Sequence, residues 1–111
     1  MSALVAQKDV VYRKANTANV ATLMVAYGLL AEYLIAWCRA EYHYKGREIC
    51  DLMLQTIEHH NWRGDNKTAA AEIKPKVTAL RARYSKAEEC WKGGEDYCFD
   101  GQCAPADWVR V

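Results

Sequence analysis

The chain has no cysteine or histidine pair at the close spacing of a structural zinc site, no glycine-rich phosphate loop, and nothing that marks a nucleophile or an oxyanion site. These absences exclude the motif-borne routes to a metalloprotein, a nucleotide-binding enzyme or a hydrolase. No catalytic residue, metal or cofactor is therefore expected. Internal repeats, low-complexity tracts and flexible linkers are also missing, so residues 1–111 read as one domain, large enough to bury a modest core unaided. The opening MSALVAQKDVVYRK lacks the charged, then apolar, then small layout of a signal peptide. A cytoplasmic location follows as an expectation, and with it five reduced cysteines.

Only one long apolar run is present, VATLMVAYGLLAEYLIAWC from Val20 to Cys38. Wound as one helix it would be about 28 Å long. Its polar neighbours Thr22, Glu32 and Arg39 fall on one narrow stripe, with Gly28 and Leu29 between them. The rest of the circumference is apolar: Val20, Leu23, Met24, Tyr27, Leu30, Ala31, Leu34, Ile35 and Trp37. Such a helix is buried in a core or spans a membrane. Glu32 would cost roughly 2.5–3.5 kcal/mol near a bilayer centre. Tyr27 and Tyr33 sit mid-run, and the flanking charges are balanced. A buried helix is expected, and membrane association through 20–38 is the third of three functional readings.

Residues 3–14 fit a short helix capped by Ser2, with Leu4, Val5, Val11 and Tyr12 as apolar contacts. Thr17 or Asn19 can cap the central helix, and Gly46 either closes it or lies in a kink. Residues 17–62 thus read as one kinked helix or two. From Arg47 to Trp62, Ile49, Leu52, Met53, Thr56, Ile57 and His60 share one face. A seam of Ile73, Val77, Leu80, Tyr84, Ala87 and Trp91 follows, expected to rest on the central helix. Pro75 predicts a helix start near Lys74, or a kink there. Gly93-Gly94 ends that helix. In the tail, Asp100-Gly101 predicts a two-residue hairpin turn that sets Cys98 opposite Cys103, within reach of oxidation. The fold class expected is mainly α: a small bundle of three or four helices with a short C-terminal β-hairpin or irregular tail, residues 92–111 forming an acidic, cysteine-containing end.

Four chemistries compete. Cys38, His43, Cys50, His59, His60, Cys90, Cys98 and Cys103 could ligate metal only at spacings no structural site uses, and Cys38 and Cys50 fit a core better. Glu58-His59-His60 with Asp51 offers a base and an orienter, but a solvated helix face and a helix-end histidine explain them better. From Arg63 to Lys86 seven basic residues face two acidic ones, while Glu88 to Asp107 holds six acidic residues against Lys92. The stripes Lys67, Lys74, Arg81 and Lys76, Arg83 could contact phosphates, or be neutralised by the acidic tail. Last, an apolar helix with few elements to cover it, and many aromatics, argues for a protein partner or a homodimer. The leading expectation is a non-enzymatic protein–protein interaction module: an adaptor, assembly subunit or inhibitor of a larger complex, the role of many small motif-free proteins of viruses and mobile elements. A nucleic-acid-binding accessory protein using 63–86 is the alternative. The partner-binding residues expected are Trp62, Trp108, Lys74, Lys76, Arg81 and Arg83.

Overall fold

Asn19 sets where the apolar stretch begins to wind: its extended backbone precedes the helix, and its side-chain oxygen accepts from the Thr22 amide at 3.0 Å. The computed structural model describes residues 3–104. Five helices run in order, α1 (Ala3–Ala15), α2 (Val20–Glu32), α3 (Leu34–Arg39), α4 (His43–His59) and α5 (Asp65–Lys92), followed by an antiparallel pair, β1 (Tyr97–Phe99) and β2 (Gln102–Ala104). The fold is mainly helical with a short C-terminal hairpin, as the sequence predicts. Ser2 and Trp108 lie outside the described residues.

The single helix expected over Val20–Cys38 is instead two, broken at Tyr33. A side chain intrudes on the ladder at that point. The Tyr84 hydroxyl donates to the Leu30 carbonyl at 2.6 Å, the oxygen an uninterrupted helix would reserve for the Leu34 amide. The second break, at Ala40–Tyr42, falls before Gly46 rather than at it. Tyr42 donates to the Trp37 carbonyl at 2.6 Å and Glu41 to that of Cys38 at 3.3 Å. This closing pattern normally uses glycine, but Glu41 holds the left-handed backbone here, φ 63°. Gly46 sits inside α4. With α2 and α3 this short, no helix among the described residues is long and apolar enough to cross a membrane, which removes the membrane-span reading of 20–38.

Helix α5 begins at Asp65, ten residues before the proline expected to start or kink it. Pro75 lies on the exposed side, so the Ala71 carbonyl that loses its amide partner faces water. The seam holds: Ile73, Val77, Leu80, Tyr84 and Ala87 are buried, Trp91 half-buried, and Ala70 and Cys90 extend it. Its main neighbour is α4, not the central helix, with α2 a lesser contact. Helix α4 meets it through Ile49, Cys50, Met53 and Ile57. Trp37 is fully buried in the middle, with rings of Tyr33, Tyr42 and Tyr84 5.8–6.4 Å away and its Nε1 donating to Gln7 of α1.

The hairpin has the expected register, Phe99 opposite Gln102 and Cys98 opposite Cys103. Asp100 and Gly101 both have positive φ, 55° and 79°, the turn whose twist suits two antiparallel strands. Cys98 and Cys103 form a disulfide, so the expectation of five reduced thiols fails for this pair; Cys38, Cys50 and Cys90 are free and buried. Tyr97 and Ala104 anchor the hairpin in the core, and Arg39 donates to the Cys103 carbonyl at 3.1 Å.

Candidate protein-interaction surface

The basic residues of α5 do not converge. Lys74 pairs with Glu58 of α4 at 3.0 Å, and Arg81 with Asp51 of α4. Arg83 turns the other way and stacks its guanidinium 4.1 Å from the Phe99 ring centre. Lys76 lies toward α2, beside Glu72, Ile73 and Met24. The carboxylates that pair with Lys74 and Arg81 come from α4. Each pair is half-exposed and adds little stability, but together they direct charge inward on one flank.

Those pairs also answer the acid/base constellation. The Lys74 hydrogen bond and charge hold the Glu58 carboxyl below its usual range, and the Asp51 hydrogen bond raises Arg81. His59 and His60 are exposed at the end of α4. Among the described residues, no group of three or more His, Cys, Asp or Glu side chains comes together as a metal would require.

Trp62 is not an exposed anchor. Its Nε1 donates to the Ile57 carbonyl at 3.0 Å, and its ring meets His60 edge-on at 4.3 Å. It closes the C-terminal end of α4, satisfying a carbonyl the helix leaves over. The cleft between α1 and α4, about 280 Å³, is lined by Lys8, Asp9, Tyr12, Lys45, Glu48 and Ile49. Its charges pair with one another, Lys8 with Asp9 at 3.9 Å and Lys45 with Glu48 at 3.4 Å, which leaves no excess of one sign to draw a ligand.

Large apolar side chains are exposed at Tyr12 of α1, at Tyr44 of α4 and at two consecutive positions of α2. Met24 is 54% and Val25 49% exposed. Ala21, Gly28, Ala31 and Glu32 complete the same solvent face, while Val20, Leu23, Ala26 and Leu30 are buried opposite. Beside this stripe runs a groove of about 90 Å³ between α2 and α5, lined by Met24, Tyr27, Ala69, Glu72, Ile73 and Lys76. The sequence puts Met24 on the apolar circumference and centres the polar stripe on Thr22, Glu32 and Arg39. The actual face is turned by about one side chain, towards Met24 and Ala31. The spacing of small residues, Ala21, Gly28 and Ala31, was the available signal. Comparison with protein-family models, with curated proteins and with solved structures finds no match.

Proposed function

We propose that this chain is a non-enzymatic protein–protein interaction module that docks through the exposed α2 stripe and the adjoining α2–α5 groove. The observation that carries this reading is the half-exposure of two adjacent large apolar residues, Met24 and Val25, on a helix whose other side is fully buried. Contiguous apolar surface beside a groove is the usual mark of an interaction site. Adaptor, assembly-subunit and inhibitor roles all use such a surface. Nucleic-acid binding has less support, since Lys74 and Arg81 are occupied by carboxylates and Arg83 by an aromatic ring. A photo-crosslinking residue at position 25 tests the proposal. Protein adducts at position 25, absent when the same residue is placed at exposed Lys86, support docking through α2. Equal or no labelling at position 25 overturns it.

A further inference from the structure

The α2 face carries a ridge and a hole side by side, and the hole is flanked by one acid and one base. We infer that the occupant of this face is a second copy of the chain, related by a twofold axis level with Met24 and Val25, beside the groove. This rests on reading the stripe as a docking surface.

Met24 stands at the lip of the groove that it helps to line. A twofold rotation about an axis at the level of the groove sends each Met24 to the other copy's groove. One surface then serves as both donor and acceptor, the condition for a closed, isologous dimer. At Gly28 an added Cβ would meet nothing within 4 Å, and Ala21 and Ala31 flank it on the same exposed face. An axis level with Met24 and Val25 sets Ala21 of one copy opposite Gly28 of the other, so small side chains flank the Met24 contact on both sides.

Charge selects the same occupant. Glu72 and Lys76 are the charged residues lining the groove, one helical turn apart. Among the described residues neither is held in an ion pair, in contrast to Lys74 and Arg81. In a twofold contact, Glu72 of each copy faces Lys76 of the other, giving two pairs from one surface. An unrelated partner would have to supply an acid and a base at the matching spacing; a second copy supplies them by symmetry. The stripe is only about 18 Å long, a small contact beside standard stable interfaces, which bury roughly 800 Å² per partner. The dimer is therefore in exchange with monomer at micromolar concentrations.

Sedimentation equilibrium on the full chain from about 1 to 500 µM tests this. The expected mass rises from the 12.6 kDa monomer towards twice that value. Val25→Glu should weaken association at least tenfold while leaving the circular dichroism and the melting curve of dilute protein unchanged. Lys76→Glu and Glu72→Lys should each stay monomeric alone, through acid facing acid and base facing base. Mixed in equal amounts they should form a heterodimer, since each then presents what the other lacks. A monomer mass throughout the range overturns the proposal. So does a dimer indifferent to Val25→Glu, or to the charge exchange. A monomeric chain that still gives adducts at position 25 with an unrelated protein overturns the second-copy assignment alone and leaves the docking reading standing.

Discussion

A Cβ built on Gly46 would stand 2.2 Å from Cε1 of Tyr84: the tyrosine ring lies where any other residue's side chain would begin. The ring is fully buried against α4, with Trp37 at 6.4 Å, and tethered at its far end by the hydroxyl's bond to Leu30. One side chain thus joins α5 to α4 at its flat face and to α2 at its tip. Burial raises the Tyr84 hydroxyl well above the ordinary tyrosine range, so it remains a donor.

Replacing Gly46 with alanine should destabilise the protein by about 1–3 kcal/mol, through overpacking against a ring that cannot swing away. The effect opposes the gain of about 1 kcal/mol that alanine normally brings to a helix interior. Gly28→Ala, with open space around it, should show that gain. Urea denaturation of dilute samples measures both. Equal stabilisation at the two positions would mean that the Tyr84 ring is not seated on Gly46.

Glu41 holds a conformation that a side chain disfavours, φ 63°, at the position where helices usually end on glycine. Glu41→Gly should stabilise by about 0.5–1 kcal/mol, because relief of the strain outweighs the added freedom of the unfolded chain. A loss of stability by thermal melting would show that the Glu41 side chain holds the turn.

Burial pushes the Cys38 and Cys50 thiols up to about 12, and Cys90 is buried beside them. An aromatic disulfide reagent at pH 8 should therefore find no reactive thiol in the native protein and three after denaturation. Five thiols in the denatured, unreduced protein would mean that the Cys98–Cys103 bond is not formed.

His43 is 3% exposed at the start of α4, its ring 5.6 Å from Trp91, and its Nδ1 has no hydrogen-bond partner among the described residues. Burial lowers its pKa from 6.5; Glu88 and Glu41 partly offset this, while Lys92 and Arg47 add to it. The unfolded chain then takes up its proton at higher pH than the folded one. Stability is complete above about pH 6.5 and declines as pH falls below that towards the lowered native value, by at most about 1.4 kcal/mol per pH unit. His43→Gln should flatten this slope between pH 7.5 and 5.5, where carboxylates contribute little. An unchanged slope in chemical denaturation across that range would refute the assignment to His43.

Titration with duplex and single-stranded DNA and RNA should give weak binding confined to low salt. Tight binding that survives physiological salt and is lost on reversing Lys76 and Arg83 would overturn the preference for a protein partner.

The elements legible in the sequence are those with a periodic or a turn-specific signal. The α5 seam, the amphipathic α4, the Asn19 cap and the Asp100-Gly101 hairpin all carry one. The breaks at Tyr33 and Glu41 carry none. The first is made by a tyrosine fifty-four positions downstream in sequence reaching back to Leu30, a tertiary contact invisible to local pattern. The second puts glutamate where glycine is the expected marker, while the nearby Gly46 is used for close approach instead. The exposed α2 face is half legible: the excess of apolar circumference on Val20–Cys38 is plain, but which residues remain outside depends on where α4 and α5 lie. Lys74 and Arg81 could not be assigned from sequence alone either, since their carboxylate partners sit on a different helix.

Pro75 has a consequence for how the molecule opens. It deprives α5 of one rung midway along, on the solvent side, so the helix consists of two stretches joined at a weakened point. The N-terminal stretch supplies Ala69, Glu72 and Ile73, one wall of the α2–α5 groove. The C-terminal stretch carries Tyr84 and its tethers to α2 and α4. Local unfolding follows the weaker stretch first. Hydrogen exchange should therefore find the groove wall opening ahead of the C-terminal stretch, which the Tyr84 tethers hold to α2 and α4.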